Sequence, residues 1–449
     1  MKYQLIILLL AIVLLASCGS VKQHNKNVYA LRTEKELQKD VDYLYKKLQE
    51  LHPKLDWYIS KQELDYKFDS LKHTITSPMT GNEFHRKISP LLASVRQGHN
   101  IMYPLVEKIS PKEAKAYKKK GDSPLSQFEY ALFEDKLYIV KNNSADTSIH
   151  AGSEVIAVNG ITPQEIYQNY RLTSTSDGYN ATFYPQRFAA SFGGQYQLYN
   201  GKQLLDSALY QLKYNDILET YWVCRTKKDT TNVANRPKTT AASTTGKREL
   251  TYLEADSSIA LMTIPAFSAK SFSTFYKKSF EQLRAANTQT LIIDLRNNPG
   301  GSLKNIQTLY AYLTDTSFYF TSKAEIASRT SLLRNNPFKN SPVVVKILSP
   351  ILYPAKLISM GITLSKIKQE DGKYYHNLYS AKRASYNPLY FKGDVYVLIN
   401  GRSFSASSIL SSNLHGEPNE LSLLEKKQAA HTMGASRDST ICLHCPNRN

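Results

Sequence analysis

The sequence predicts an α/β protein of several domains: a helical N-terminal part, a β-rich module and a layered α/β core. At 449 residues the chain exceeds what one hydrophobic core ordinarily organises. An apolar stripe at helical spacing lies near the start, short strand signals with turn residues fill the middle, and strands alternate with helices from residue 249 onward. Hydrophobic residues at 42% and aromatic residues at 11% suffice to build such cores and exclude a disordered chain.

The elements follow in order. "MKYQLIILLLAIVLLASCGS" has an early lysine, an apolar stretch too short for a spanning helix, then small residues before Cys18. It reads as a secretory signal, and "LASC" resembles the bacterial lipobox, which implies cleavage before Cys18 and lipidation of that residue. Residues 1–18 are therefore expected to be a lipoprotein signal, with the mature chain in the cell envelope, periplasm-facing and held on the outer membrane. An ordinary cleaved signal is the alternative. The later apolar stretch "VVVKILSPILYPAKLISMGITL" carries two prolines and two lysines and reads as buried or lid-like.

Residues 19–123 are expected to be mainly helical. Leu37, Val41, Leu44, Leu48 and Leu51 form one stripe, Thr33 with Glu36 fits a capping box, and Pro53 ends the pattern. At Gly98 the pattern changes and "HNIMYPL" reads as a strand. Residues 124–226 combine short strands with an Asn-Gly turn and a helix opened by Pro163. "HAGSEVIAVNGITP" resembles the PDZ module, which implies capture of peptide ends at a sheet edge. Any small β-rich domain is the bland reading. Residues 227–248, dense in Thr, Ala, Asn and Lys, read as a flexible linker. In the core of residues 249–415, "SIALMTIPAF", "TLIIDLR" and "DVYVLIN" are buried strands, each followed by a helical segment.

Charge and cysteine usage exclude other classes. The net charge of +19 comes from scattered basic residues with short runs such as Lys118 to Lys120, with no nucleic-acid motif, so no nucleic-acid partner is expected. Cys442 and Cys445 form a single C-x-x-C without the second ligand pair of a structural zinc site, so neither metal nor cofactor is expected.

Two strand-to-helix turns carry the chemistry. "LIIDLRNNPGGSL" leaves a buried strand through a glycine turn whose backbone N–H groups suit an anion or a developing oxyanion. Asp294 and Arg296 read as a salt-bridged brace for that turn. "INGRSFSASSIL" repeats the strand-to-helix step with serines at its lip. Together the two motifs resemble the C-terminal-processing (tail-specific) serine peptidases, closer to their tricorn-core-like branch. The resemblance covers residues 249–415 and implies a crotonase-like, ClpP-like layered core. By position in the motif, the nucleophile is Ser405, not Ser403, Ser407 or Ser408, and a helix start places the positive dipole end beside its developing charge. Gly300 or Gly301 would supply one oxyanion-hole N–H and Ala406 another.

The base is open between two routes. The "GH" of "RQGHN" resembles the upstream histidine of the tricorn-like branch, making His99 the candidate; an incidental histidine among the ten is the alternative. The processing peptidases use a lysine instead, but Lys426 and Lys427 sit in a polar context that would leave them protonated. The segment after residue 415 departs from the family. Shifting "LLEKKQAAHTMG" by two nucleotides permits Gly-Glu-Glu-Thr-Gly-Gly-Ala-Tyr-Asn-Gly, close to the turn of the tricorn-like branch. Residues 416–449 are therefore read as out of frame, with a divergent natural tail as the alternative.

The expected activity is that of a serine endopeptidase acting outside the cytoplasm on unfolded or C-terminally recognised polypeptides. The competing expectation is a catalytically impaired peptide-binding lipoprotein. A sugar- or lipid-processing hydrolase is disfavoured, since no G-x-S-x-G elbow surrounds Ser405.

Overall fold

The computed structural model describes residues 21–200, 205–226, 247–268, 270–330, 357–358, 360–415, 422–423 and 441–445. Cys18 and the lipobox, linker residues 227–246, apolar residues 343–356, and Lys426 and Lys427 lie outside the described residues. Among the described residues no helix is long and apolar enough to cross a membrane. The chain divides into two units. One comprises residues 1–91, 102–114 and 322–381; the other comprises residues 92–101, 115–321 and 382–449.

The first unit is helical with a small antiparallel sheet. Helix Glu34–Leu51 starts at the expected capping box: Thr33 Oγ1 accepts from Glu36 N at 3.4 Å and Thr33 N donates to Glu36 Oε2 at 2.9 Å. Leu37, Val41 and Leu48 are buried, whereas Leu51 at the last turn is exposed. Helix Lys61–His73 buries Leu64 and Phe68, and Phe68 stacks on Tyr45 at 4.1 Å between centroids. Strands Ala324–Ile326, Lys373–His376 and Ile367–Glu370 pair antiparallel, and Glu325 lies 3.7 Å from both Lys54 and Lys373.

The second unit holds two sheets. Five antiparallel strands, Phe128–Phe133, Lys136–Asn142, Glu154–Val158, Ser207–Tyr214 and Ile217–Cys224, pair in chain order. Helix Pro163–Thr173, opened by a Thr162–Glu165 capping box and Pro163, packs its Ile166, Tyr167 and Tyr170 into the core of this sheet. The other sheet orders its strands as Ser422–Leu423, Ile441–Cys445, Asp394–Ile399, Thr290–Asp294, Ile259–Thr263 and Glu249–Tyr252. Its three central strands run parallel and largely alternate fully buried residues, Met262, Ile293 and Val397 among them, with half-buried ones. Helices Phe272–Ala285, Leu303–Tyr310 and Ala406–His415 bury Phe280, Leu309 and Leu410 in the same core. Parallel strands end at the same edge of a sheet, so the turns after Asp294 and Ile399 come together there.

The division differs from the sequence reading in one functional respect. Residues 92–101, expected in a helical N-terminal domain, belong with the Ser405 unit. The cause is tertiary: Gly98 N donates to Asp177 Oδ1 at 2.7 Å, and Gly178 N donates to Arg96 O at 2.9 Å.

Candidate active site

Hydrogen bonds from asparagine and serine side chains stitch the two strand-to-helix turns together. Asn400 is buried; its Oδ1 accepts from Asn297 N at 2.9 Å and Arg402 N at 3.1 Å, and its Nδ2 donates to Asn297 Oδ1 at 3.0 Å. Asn298, fully buried, donates from Nδ2 to Ile264 O at 2.7 Å and accepts from Gly300 N at 2.8 Å. Its carbonyl accepts from Phe404 N at 3.0 Å and from Ser407 Oγ at 3.1 Å. The sequence reading gave these asparagines no role. Their position, just before Pro-Gly-Gly and just after a buried strand, was the available signal. Asp294 and Arg296 form the expected brace, with Arg296 Nε 3.0 Å from Asp294 Oδ1 and Nη2 2.7 Å from Oδ2.

The serines around Phe404 then separate by what their hydroxyls do. Ser403 Oγ donates to Leu295 O at 2.8 Å, Ser407 Oγ to Asn298 O, and Ser408 Oγ to Ser403 O at 3.0 Å; all three are buried. Ser405 is half-buried, and among the described residues its hydroxyl has no hydrogen-bond partner. Its backbone sits at φ +55, a sparsely populated conformation for a residue with a Cβ, immediately before helix Ala406–His415.

The double-glycine bend lies directly against this turn. A Cβ on Gly300 would stand 2.6 Å from Phe404 O, 2.7 Å from Ala406 N and 2.8 Å from Ser405 Cβ, and Gly300 has φ +98. Glycine is required here on both counts. The Gly300 N–H is used by Asn298. The Gly300 carbonyl accepts from Phe267 N at 2.8 Å, so the Gly301 N–H, on the opposite side of that planar trans peptide, points away from Phe267. Among the described residues the N–H groups of Gly301 and Ala406 have no acceptor.

His99 approaches through Phe404. The rings of His99 and Phe404 lie 4.9 Å apart at 30°, and a Cβ on Gly98 would meet Phe404 Cζ at 2.7 Å and Asp177 Oδ1 at 3.0 Å. His99 is exposed and, among the described residues, makes no hydrogen bond to Ser405. The loop carrying it is held by residues 175–180. Besides the Asp177 and Gly178 bonds, Thr175 Oγ1 donates to Gly98 O at 3.4 Å, and the Arg96 guanidinium sits 4.2 Å over the Tyr179 ring. Burial pushes the Asp177 carboxyl up, and the Gly98 N–H and the nearby His99 ring pull it partly back. The sequence reading missed Asp177, which lies in a loop far from both motifs. Burial lowers the Arg402 guanidinium, and neighbouring Arg187 lowers it further.

Residues 258–435 match the profile of peptidase family S41, a stretch that includes both turns and runs past residue 415. No curated protein sequence matches the chain. The fold resembles that of mature CPAF complexed with lactacystin, at 14% identity and a TM-score of 0.53 over 91% of this chain and 89% of that one. A mutant of CPAF aligns at 15% identity with a TM-score of 0.54, over 85% of this chain and 82% of that one.

Proposed function

We propose, from the premise that this chain carries a domain of peptidase family S41 over residues 258–435 and is a serine-type peptidase acting on polypeptides, that Ser405 is its nucleophile and His99 its general base. Ser405 Oγ attacks the scissile carbonyl carbon while His99 takes the hydroxyl proton. The oxyanion is received by the N–H groups of Gly301 and Ala406, with Gly300 allowing the backbone to come this close. His99 then gives the proton to the leaving amine, and the acyl-enzyme ester is hydrolysed by water through the same steps in reverse. Each oxyanion donor contributes about 3 kcal/mol in the transition state.

A single observation carries this reading: the Gly300 backbone packs on Ser405 and Ala406, which brings the serine hydroxyl and the two amides that have no partner among the described residues to one corner. The test is labelling with a fluorophosphonate probe. Labelling that disappears in Ser405→Ala supports the peptidase; an unlabelled native chain supports the peptide-binding alternative.

The finer reading is tail-specific. The five-stranded module of residues 124–226 is proposed to hold polypeptide ends as a PDZ-like domain does, and the protein to work in the cell envelope on a lipid anchor at Cys18. Metabolic labelling with palmitate, lost in Cys18→Ala, checks the anchor. Residues after about 415 are proposed to be out of frame. An uninterrupted reading frame in fresh DNA across codons 410–449 overturns that.

A further inference from the structure

We infer that Asp177 is a positioning residue for the proposed base, holding the His99 imidazole in one orientation and one tautomer for proton transfer at Ser405. The inference rests on the Ser405–His99 reading and deepens it.

Three observations converge. First, Asp177 Oδ1 accepts the Gly98 N–H at 2.7 Å, fixing the backbone one residue before His99. Secondly, Gly98 has no side chain where one would strike both Phe404 and Asp177, so the Phe404 ring, the carboxylate and His99 meet around one residue. Thirdly, the Asp177 loop is itself built to stay put. Ser176 Oγ donates to Asn180 O at 2.9 Å, Asn180 Oδ1 accepts from Thr182 N at 3.1 Å and Thr182 Oγ1 at 2.8 Å, and Gly178 N donates to Arg96 O. A carboxylate that served only to end the turn would be satisfied there. Asp177 Oδ2 has no hydrogen-bond partner among the described residues, although the side chain is buried. That oxygen is not sealed from solvent and stands open to a further donor, and His99 is the neighbouring side chain whose charge acts on this carboxylate.

The consequence is specific. A serine–histidine site needs a group that fixes which ring nitrogen carries the proton. Here that group comes from residues 175–180, independently of the residues after 415.

The test uses the full chain with nitrogen-15 histidine, His99→Ala serving only to assign the resonances. In the native chain at neutral to mildly alkaline pH, His99 is expected as one predominant neutral tautomer. Asp177→Asn retains an acceptor for Gly98 N–H but loses the charge, and is expected to mix or reverse the tautomers; Asp177→Glu is expected to restore the native one. Asp177→Ser serves if the asparagine variant does not fold. An unchanged tautomer population overturns the inference, even if activity falls. Fluorophosphonate labelling, run in parallel, is expected to drop roughly hundredfold in Asp177→Asn. A native chain that never labels sinks the peptidase reading, while the tautomer measurement still decides the role of Asp177.

Discussion

The Ser405 turn and the His99 loop meet at Phe404 but are built in opposite ways. The Ser405 turn is held by short-range logic: two adjacent parallel strands end together, and Asn297, Asn298, Asn400 and Ser403 tie their exits with bonds of 2.7 to 3.1 Å. The His99 loop borrows its shape from a segment some eighty positions away in sequence, through Asp177, Gly178 and Tyr179. The first arrangement presents a hydroxyl and amides in a fixed corner. The second leaves an exposed imidazole whose aim depends on a distant loop. Catalytic power should therefore fail abruptly when the first region is altered and by degrees when the second is.

The largest expected effect follows from that corner. Ser405→Ala should remove probe labelling altogether and cut peptide hydrolysis by at least about a thousandfold. Ser403→Ala, which keeps the proposed nucleophile, should instead cost stability because Asn400 N loses its acceptor. Equal loss of labelling in both, with both folded, would undo the distinction among the serines. Gly300→Ala comes next. Its Cβ would lie 2.6 Å from a backbone carbonyl, at φ +98, so a loss on the order of 3 kcal/mol and a near-complete loss of labelling are expected. Urea denaturation beside labelling measures both. Asn298→Ala leaves Gly300 N and Ile264 O without partners and should cost about 2 kcal/mol. Labelling should fall with it, because the same residue holds both turns.

A pH measurement sharpens the other region. Burial, the largest influence, raises the Asp177 carboxyl above its usual range. The native state therefore binds this proton more readily than the unfolded chain. Stability is thus highest at low pH, falls as pH climbs from the ordinary carboxylate range to the raised native value, and bears the full penalty above it. Melting temperatures of the native chain and Asp177→Asn should diverge in the variant's favour as pH rises through that window. Parallel curves would show that Asp177 is not held in a desolvated place.

The same contrast explains what the sequence disclosed. The strands around "LIIDLR" and "DVYVLI" are legible because they are short apolar runs bounded by turn residues, and the capping boxes at Thr33 and Thr162 are legible because they are local. Ser405 was singled out by the resemblance of "FSASS" to the serine-peptidase motif. Its φ of +55 and the prior engagement of Ser403, Ser407 and Ser408 became visible once the turns were folded together. Asp177 was not legible, since nothing in "TSDGYN" differs from an ordinary polar turn until Gly98 is brought against it. The choice between Gly300 and Gly301 was likewise undecided until Asn298 was seen to use the Gly300 N–H.

The smallest expected effect lies in the other unit and serves as the control for this comparison. Thr33 caps helix Glu34–Leu51 by accepting Glu36 N, while Glu36 accepts Thr33 N in return. Thr33→Ala removes one half of that exchange at an exposed helix end, a change worth about 1 kcal/mol. The loss should be read locally: amide exchange in the first turn of the helix should quicken roughly fivefold. Probe labelling at Ser405 should keep its native rate, because Thr33 and Ser405 belong to different units. A labelling rate that drops with the cap would mean that the Ser405 corner is tuned from the helical unit, and the contrast between local stitching and distant bracing would have to include a third region.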